Sequence, residues 1–570
     1  MAQNVLVIGG VALGPKAAAR FKRLEPESTV TMIDQGTYIS YGGCGIPYFV
    51  SGEVESINGL RETAANVIRD ADFFEAFKGV NVKLRTKALK INRAKKTVTV
   101  EDLDNGEKYD MPYDKLVIAT GSTPKVPPIP GHDLGNVTTC TCLEAAAAIQ
   151  ANCASRKVNN AVIVGGGFIG LEMAVALADQ WGIHTTVVEL IDHLLPAQLS
   201  TNLGAMVKHD LEGLGIDVVT GEKVIELRGE NGVVTALVTD KRVIPADEVV
   251  FSVGVSPNSQ IAADAGLDCH PRGGIRVNEF MQTSDPDIYA GGDCVIVKNL
   301  ISGAEQYLPL GSMSNRQGRV IGTNLAGGHD YFKGVVGTWC VKLASHGASG
   351  CGMTEFQARQ AGFDPVTIPM AQLDRAHFYP EHDMLHMEVV VDKPTRRVLG
   401  AQAFCTDGLS AKARMDAVAA MLQNGDKPTL NDLQNLEVCY APPYASAMDA
   451  VNTLGNVADN VLAGRHKCVT PAEFAAMWKD RANNDYFFID ARPVKGASKL
   501  AEKYPGEWHS IPLEQLEKRI GEIPQGRPVA LICNTGSRAY ECQLFLRRHD
   551  IESVNAAGGM QAQLARGEDF

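Results

Sequence analysis

Cysteine is the residue type in this chain most able to do redox or group-transfer chemistry, and thirteen cysteines occur among its 570 residues. None of them forms a Cys-x-x-Cys pair, which argues against a zinc ribbon and a thioredoxin-type motif. Their odd number and irregular spacing predict free thiols in a reducing cytoplasm. We expect most of them to be buried small hydrophobic residues, while the neighbours of Cys44 and Cys533 indicate chemistry.

Cys533 follows a predicted strand at 528–532 and precedes a predicted helix at 539–547. Backbone N–H groups of the short loop to Arg538, together with the helix dipole, would converge on the sulfur and lower its pKa. The arrangement predicts an anion-binding loop with a reactive thiolate. A Cys-x5-Arg phosphatase loop is a poorer match, because Arg538 lies one residue too close and no second acid is evident.

Two glycine-rich turns could each bind a nucleotide diphosphate. In the first, Gly9 and Gly14 lie between a predicted strand and a predicted helix at 15–24, and Asp34 ends the next strand. Glycines let the backbone approach a pyrophosphate, the helix N-terminus offers N–H groups, and the acid can bond a ribose hydroxyl. Val11 replaces the middle glycine of Gly-x-Gly-x-x-Gly, so this turn alone is a weak signal.

The second turn fits the dinucleotide pattern fully, with Gly165, Gly167 and Gly170 after a predicted strand at 161–164. Glu189 follows at the usual distance of about 20 residues. A carboxylate there would accept both ribose hydroxyls and repel a 2′-phosphate, which favours NADH over NADPH. Two such folds on one chain imply two nucleotides, for which FAD and NAD(P)H are the economical assignment.

Charge and hydropathy exclude several classes of function. A net charge of −12 argues against a nucleic-acid-binding protein, which needs a basic surface. No apolar run reaches the ~20 residues of a membrane span, and the first residues, Met1–Asn4, carry no basic segment of the kind that opens a secretory signal. We therefore expect a cytoplasmic protein without a membrane or nucleic-acid partner.

Three further segments, at 116–122, 249–258 and 287–293, read as strands that end in glycine turns or at an aspartate. With the two glycine turns, they make most of residues 1–325 resemble the two-dinucleotide-fold flavoprotein disulfide reductases. The resemblance implies FAD in the first fold, NADH in the second, and Asp293 at the flavin's ribityl or pyrophosphate region. The implied cofactor residues are Gly9, Gly14, Asp34, Thr120, Gly121 and Asp293 for FAD, and Gly165, Gly167, Gly170 and Glu189 for NADH.

Cys44 lies in the segment where glutathione-reductase-like members carry two cysteines five apart. Phe49 stands five residues after Cys44, so that local disulfide is excluded here. The segment, with Ser40 assigned to substrate binding and Tyr41 in place of a phenylalanine, resembles the single-cysteine branch of NADH oxidases, NADH peroxidases and coenzyme A disulfide reductases. A lone cysteine can form a sulfenic acid or a mixed disulfide, and both need a thiolate and therefore a lowered pKa.

Ala12 discriminates between these members, because the peroxidase type carries a histidine there. The acid expected for O–O cleavage is therefore missing, and the Gly-x-Val-Ala sequence resembles the coenzyme A disulfide reductases. That resemblance implies that basic residues of the first helix bind the phosphates of coenzyme A. Arg20 and Arg23, three apart on a helix, are the candidates, while Lys22 is expected on a solvated face.

Residues 326–460 resemble the superfamily's dimerisation domain, so a homodimer is expected. In coenzyme A disulfide reductases two tyrosines of this domain reach the partner's cysteine site, which here implies Tyr379 and Tyr440, with Tyr444 as the alternative to Tyr440. A phenol can donate a hydrogen bond to a thiolate or a leaving sulfur. Alternatively, these aromatic residues only pack the dimer interface.

Residues 469–570 resemble a rhodanese, or sulfurtransferase, domain that contains Asp490 and Arg492. The resemblance implies that Cys533 carries a persulfide and that Arg538 shares its site. The family's Gly-His-Ile segment is absent, which bears on substrate access. An inactive interaction module is the alternative for this domain.

The whole chain therefore resembles a coenzyme A disulfide reductase–rhodanese fusion of the α/β class, with two Rossmann-like folds, an α+β dimerisation domain and a C-terminal α/β rhodanese domain. The implied function is reduction of coenzyme A disulfide, coenzyme A persulfide or polysulfide with FAD and NADH but no metal, coupled to sulfur transfer. An NADH oxidase or peroxidase and a redox-sensing or sulfur-carrier protein are the alternatives. The expected domains are FAD-binding (1–112 and 246–325), NADH-binding (113–245), dimerisation (326–460), a linker (461–468) and rhodanese (469–570).

Overall fold

A computed structural model describes residues 2–570. The chain forms two compact units, one holding the residues up to 190 together with 222–335, the other holding 191–221 together with 336–570. Both units combine helices with sheets, so the fold is mixed α/β. Among residues 2–570, no helix has both the length and the apolar character needed to cross a bilayer.

The elements up to residue 335 begin with the strand and helix that flank the first glycine turn. The strands are β1 (Asn4–Ile8), β2 (Thr29–Ile33), β3 (Asn81–Lys83), β4 (Thr86–Asn92), β5 (Thr97–Asp102), β6 (Lys108–Pro112), β7 (Lys115–Ile118), β8 (Ser122–Pro124), β9 (Val137–Thr138), β10 (Asn160–Val164), β11 (His184–Glu189), β12 (Asp217–Thr220), β13 (Val224–Glu230), β14 (Val233–Thr239), β15 (Val243–Pro245), β16 (Glu248–Phe251), β17 (Val255–Pro257), β18 (Ile275–Arg276), β19 (Ile288–Ala290), β20 (Val295–Lys298) and β21 (Glu305–Gln306). The helices are α1 (Leu13–Leu24), α2 (Ile46–Ser51), α3 (Ala71–Phe73), α4 (Leu143–Ala154), α5 (Phe168–Val175), α6 (Thr201–Gly213), α7 (Gln260–Asp264) and α8 (Gly311–Leu325).

Two parallel sheets of the first unit carry the glycine turns. β1 lies at the centre of the order β19-β7-β1-β2-β3, and β10 lies between β11 and β16. Both central strands are apolar runs, as expected for strands whose two faces are covered. Each runs into a glycine turn and then a helix, α1 or α5, as predicted.

α8 packs tightly against α1 in the first unit. A Cβ at Gly318 would lie 2.9 Å from the Leu13 carbonyl oxygen, and one at Gly322 would lie 2.6 Å from that of Ala17. Only glycine permits so close an approach of two helix backbones, and this contact positions α8 against α1.

The elements from residue 336 onwards belong to the second unit. The strands are β22 (Trp339–Lys342), β23 (Gly347–Gly352), β24 (Pro365–Leu373), β25 (Met384–Asp392), β26 (Val398–Cys405), β27 (Cys468–Val469), β28 (Phe487–Asp490), β29 (Trp508–Ser510), β30 (Val529–Ile532) and β31 (Ser553–Ala556). The helices are α9 (Glu355–Gln360), α10 (Gly408–Asn424), α11 (Leu430–Gln434), α12 (Ala450–Leu462), α13 (Pro471–Lys479), α14 (Val494–Lys503), α15 (Leu516–Arg519), α16 (Ser537–Arg547) and α17 (Gly559–Ala565).

An antiparallel sheet with the order β22-β23-β26-β25-β24 forms the first part of this unit. β24 was not predicted, and it contains Pro365 and Pro369. It lies at the sheet edge, and the N–H of Thr367, which points to the same side as those two positions, donates to Glu355 rather than to β25. The prolines therefore remove no hydrogen bond of the sheet.

α6 groups with the second unit although it follows β11 in the chain. Asn202 Nδ2 donates to Glu388 on β25 over 2.7 Å, and Asn202 Oδ1 accepts from Arg566 Nη1, just after α17, over 3.0 Å. At the other end of α6, the Asp210 carboxylate contacts His346 Nδ1 at 2.7 Å. Residues far apart in sequence therefore hold this helix.

A parallel sheet with the order β27-β31-β30-β28-β29 forms the C-terminal part of this unit. α13 opens at Thr470, whose hydroxyl and Glu473 form a capping box. The segment 461–468 includes the end of α12 and the first residue of β27, where Cys468 lies opposite Asn555. Its last residue is thus part of the C-terminal sheet.

Candidate active site

The two glycine turns have the same backbone geometry. Gly9 and Gly165 adopt φ angles of +108° and +109°, which favour glycine. A Cβ at Gly14 would lie 1.9 Å from the Gly9 carbonyl oxygen, and one at Gly170 would lie 2.1 Å from that of Gly165. Glycine at these positions is what allows helix and strand to pack so closely.

A carboxylate braces each turn in the same way. The Gly10 N–H donates to Asp34 Oδ2 over 2.7 Å, and the Gly166 N–H donates to Glu189 Oε2 over 2.7 Å. Each acid assigned to a ribose therefore lies directly beside its glycine turn.

The helices after the turns begin without a side-chain cap. α1 and α5 have neither a side-chain cap nor an acid in the first turn, so their N-termini can receive a diphosphate. A Cβ at Gly167 would meet no atom within 4 Å, so the second turn opens on free space. The residues at both turns fit a dinucleotide.

The remaining residues assigned to FAD gather after the ends of β7 and β19, which are neighbours in one sheet. Thr120 Oγ1 donates to the Asn258 carbonyl over 2.6 Å, and Asn258 Nδ2 donates to that of Thr120 over 2.9 Å, so Gly121 lies in a braced loop. Ser122 Oγ donates to Asp293 Oδ2 over 3.2 Å, and burial raises the pKa of Asp293. Ligands of such sheets bind beyond the carboxyl ends of the strands.

Cys44 lies in a short 3-10 turn that leads into α2, and its residue surface is exposed. The N-terminus of α8 is close, because a Cβ at Gly311 would lie 3.5 Å from Cys44 Sγ. Desolvation by surrounding residues nevertheless raises the pKa of the thiol, and the carboxylates of Glu172 and Asp293 raise it further. This direction is the opposite of the one expected from the sequence.

Glu172, on α5, is a neighbour of Cys44 that the sequence did not indicate. Tyr48 Oη donates to Glu172 Oε1 over 3.4 Å, and burial raises the pKa of Glu172 to about 7. Its charge, and with it the repulsion of a Cys44 thiolate, therefore changes near neutral pH. The acid lies on the second nucleotide fold, far from Cys44 in sequence, so no local motif could reveal the pairing.

Glu172→Gln is expected to lower the pKa of Cys44, because it removes a carboxylate that opposes the thiolate. The rate of Cys44 alkylation by iodoacetamide, followed against pH by peptide mass spectrometry, measures this. The variant should react faster than the wild type above pH 7, where Glu172 is ionised, and the two should converge below it. Glu144→Gln, which removes a carboxylate beside Tyr41 instead, is the matched control, and equal profiles for both variants would contradict the assignment.

The residues assigned to coenzyme A differ in their contacts. Arg20 Nε donates to Thr323 Oγ1 on α8 over 3.2 Å, whereas Arg23 is exposed. Ser40 has a φ of +51° and is buried, and its N–H donates to the Gly10 carbonyl over 2.8 Å. Lys22 is not simply solvated, because its Nζ donates to carbonyls of the turn that follows α1.

The tyrosines assigned to catalysis lie on two loops of the second unit. Tyr379 is half-buried, and its N–H donates to the Ala376 carbonyl. Tyr440 and Tyr444 on the other loop are 52% and 75% exposed, and Phe378 beside Tyr379 is 67% exposed. The two loops touch, since the Ala376 N–H donates to the Pro442 carbonyl over 3.4 Å.

Arg414 on α10 joins these two loops, a role that no local sequence motif indicated. Its Nη2 donates to the Asp374 carbonyl over 2.6 Å, to the Tyr444 carbonyl over 3.1 Å and to Asp449 Oδ2 over 2.9 Å. Arg414 and Asp449 are both buried. One buried ion pair thus positions both tyrosine loops.

Arg414→Met is expected to destabilise the protein by roughly 3–5 kcal/mol, because it leaves Asp449 as a buried charge without its partner. Urea denaturation followed by fluorescence measures this loss. Lys412→Met is the matched control on the same helix: its pair with Asp416 is exposed, so its removal should cost less than about 1 kcal/mol. Similar midpoints for the two variants would contradict the role of Arg414.

Cys533 directly follows β30 and is buried, and its sulfur accepts the Gly536 N–H over 3.1 Å. Gly536 has a φ of +101° and is the cap of α16. Arg538 lies in the first turn of α16 and is exposed. Nearby, Asp490 at the end of β28 is fully buried in an ion pair with Arg492.

Two family models match the chain. The pyridine nucleotide-disulphide oxidoreductase model matches residues 3–318, and the model of the dimerisation domain of that family matches residues 340–451.

Known proteins are similar over most or nearly all of the chain. A structure of an NAD-dependent persulfide reductase from A. fulgidus superposes with a TM-score of 0.91 and 35% identity, covering 98% of this chain and 99% of that one. An NAD(P)H coenzyme A polysulfide/persulfide reductase of Pyrococcus horikoshii is 33% identical, covering 80% of this chain and 98% of its own. An NADH oxidase of Enterococcus faecalis is 32% identical, covering 80% of this chain and 99% of its own.

Proposed function

Since the chain belongs to the pyridine nucleotide-disulphide oxidoreductase family, we propose that it reduces coenzyme A persulfide, coenzyme A disulfide or polysulfide through Cys44, and that its C-terminal domain is a rhodanese. The observation that carries this proposal is the position of Cys44. Its sulfur lies beside the start of α8 and near Asp293, with Phe49 where a second cysteine would be needed for a local disulfide. A solitary thiol in this place suits a mixed disulfide with a small thiol.

The family uses FAD and NAD(P)H. FAD is assigned to the turn between β1 and α1, with Asp34, Thr120, Gly121 and Asp293, and NADH to the turn between β10 and α5. Glu189, already beside the second turn, would repel a 2′-phosphate, which favours NADH. When bound, the two cofactors supply the electron pair for disulfide reduction.

Cys44 performs the covalent steps. Its thiolate attacks a disulfide or persulfide sulfur, forming a mixed disulfide as the S–S bond of the substrate breaks, and the departing thiolate takes up a proton. Two electrons from NADH and a second proton then convert the mixed disulfide into the Cys44 thiolate and a free thiol or hydrosulfide. With coenzyme A persulfide, the sum is NADH, one proton and the persulfide giving NAD⁺, coenzyme A and H₂S.

Coenzyme A is assigned to the basic side of α1. Arg20 and Arg23 supply the charges for its phosphates, and Ser40 lies on the chain between the first turn and Cys44. The relatives named for coenzyme A-dependent sulfur reduction support this substrate class, whereas those named NADH oxidase favour oxygen as the acceptor.

The C-terminal domain is assigned to sulfane sulfur. Cys533 would carry it as a persulfide in the loop that Gly536 closes, and Arg538 would bind an anionic donor from its exposed position. Because this domain is tethered to the reductase, the effective concentration of Cys533 with respect to Cys44 is in roughly the mM range. The proposed domains keep their predicted bounds: FAD-binding (1–112 and 246–325), NADH-binding (113–245), dimerisation (326–460), a linker (461–468) and rhodanese (469–570).

A homodimer is the proposed assembly. The match to the dimerisation domain supports it, as does the cluster of exposed aromatic residues at Phe378, Tyr440 and Tyr444, since aromatic residues are enriched at interfaces. In the dimer, Tyr379 and Tyr440 are assigned to the partner's Cys44 as hydrogen-bond donors.

Anaerobic NADH oxidation with coenzyme A persulfide, coenzyme A disulfide and polysulfide, beside aerobic and peroxide-fed reactions, tests the function. We expect the sulfur acceptors to give the faster turnover and to be ranked by it. Consumption of NADH with oxygen or peroxide alone would reject the proposal in favour of an oxidase or peroxidase.

A further inference from the structure

One residue outside the predicted C-terminal domain, 469–570, contacts Asn555, the side chain that supports the loop after Cys533. That residue is His466, which lies between α12 and β27. It is buried, and its ring lies 4.6 Å from that of Tyr540 on α16. Its Nε2 lies 2.9 Å from Asn555 Nδ2.

Asn555 connects His466 to the cysteine loop. Its side chain is completely buried, and its Nδ2 also donates to the Gly536 carbonyl over 2.9 Å. The N–H of the same Gly536 donates to Cys533 Sγ over 3.1 Å. A chain of three contacts therefore runs from His466 through Asn555 and Gly536 to the sulfur.

The protons available on each group determine which atom donates and which accepts in these hydrogen bonds. An amide nitrogen has two protons, so Asn555 Nδ2 can donate to both the Gly536 carbonyl and His466 Nε2. The reversed amide would place an oxygen against the Gly536 carbonyl, where both atoms could only accept. Asn555 Oδ1 has no partner among residues 2–570, so the amide is held by its donor end.

His466 is suited to accept. Burial lowers its pKa to about 4, so near pH 7 its ring is neutral, with Nε2 free of a proton and the proton on Nδ1. Burial alone lowers this pKa, with no contribution from a charged group among residues 2–570.

We propose that Asn555 and His466 are positioning residues for Cys533: they hold Gly536 so that its N–H points at the sulfur and stabilises the thiolate. This inference rests on the proposed sulfur-carrying role of Cys533. A hydrogen bond to an anion is among the stronger ones in proteins, so its direction matters more than that of an ordinary loop contact. The segment between α12 and β27 is thus part of the sulfur site.

The test is the pH profile of Cys533 alkylation by iodoacetamide in the full-length holoenzyme, read on the Cys533 peptide by mass spectrometry. Asn555→Leu and His466→Leu are expected to slow alkylation of Cys533 about tenfold near pH 7, because the sulfur loses the hydrogen bond that stabilises its thiolate. His466→Gln, which keeps an acceptor for Asn555, should restore the wild-type profile. His509→Leu is the matched control, because His509 contacts the Phe488 carbonyl and the Phe487 ring instead of the loop.

Profiles of the two leucine variants that match the His509→Leu control would overturn the inference, as would a His466→Gln profile no better than that of His466→Leu. Sulfur transfer from thiosulfate to cyanide is measured on the same samples. Its absence in the wild type would reject the proposed sulfurtransferase role, while the alkylation profiles would still decide the positioning role.

Discussion

Cys44→Ser is expected to reduce NADH-dependent turnover of coenzyme A persulfide and coenzyme A disulfide by at least about a thousandfold, because a serine oxygen cannot form the mixed disulfide. The change replaces one atom at an exposed turn, and Asp293, Gly311 and both glycine turns stay in place. FAD content should therefore equal that of the wild type. Anaerobic NADH absorbance with each acceptor, beside the flavin spectrum, gives both readouts.

Cys340→Ser is the matched control for this prediction. Cys340 is also exposed but lies on β22, outside the proposed site, and its loss should leave turnover within about twofold, as for most surface substitutions. Substantial turnover in Cys44→Ser would reject the covalent mechanism and leave direct reduction of the acceptor by bound cofactors.

Cys533→Ala is expected to abolish sulfur transfer from thiosulfate to cyanide while the reduction of coenzyme A disulfide continues at the wild-type rate. Alanine fits the space at the end of β30, so the buried strand should remain intact, but no sulfur is left to carry a persulfide. Thiocyanate formation and NADH oxidation, measured on one preparation, separate the two activities.

Cys542→Ala controls for the loss of a buried thiol in the same core. Cys542 is buried on α16, and its removal should cost stability but keep sulfur transfer. Equal transfer by wild type and Cys533→Ala would support the alternative of an interaction module. Loss of both activities in Cys533→Ala would mean that Cys533 also serves the disulfide reaction.

The glycine turns could be predicted because their determinants are local. Gly9 and Gly165 need positive φ, and Gly14 and Gly170 need the absence of a Cβ, so these requirements are written directly in the spacing of the residues. The cap at Thr470 is equally local. β24 escaped prediction because Pro365 and Pro369 argue against a strand, and only the tertiary order shows that their side of β24 faces away from β25.

The residues that surround and position the proposed site residues could not be predicted from the local sequence. Glu172 lies on a different nucleotide fold from Cys44, Arg414 connects two loops, and His466 lies outside the predicted C-terminal domain. Glutamate, arginine and histidine are also common on ordinary protein surfaces. The pKa of Cys44 shows the same limit, since it is raised by desolvation among surrounding residues and further by carboxylates that the turn's own sequence does not contain. The local sequence identified Cys44 and Cys533 as the reactive cysteines, whereas residues distant in sequence determine the surroundings of their sulfur atoms.

α6 also has a consequence for how the protein is made. The hydrogen bond between Asn202 and Arg566 spans 364 residues, and at the usual 5–20 residues per second a ribosome needs roughly 20 to 70 s to add them. During that time α6 has emerged, while β25 and then Arg566 are still to be synthesised. The growing chain therefore carries α6 without the Arg566 contact for that time, so the helix completes its native packing only long after its own residues have been made.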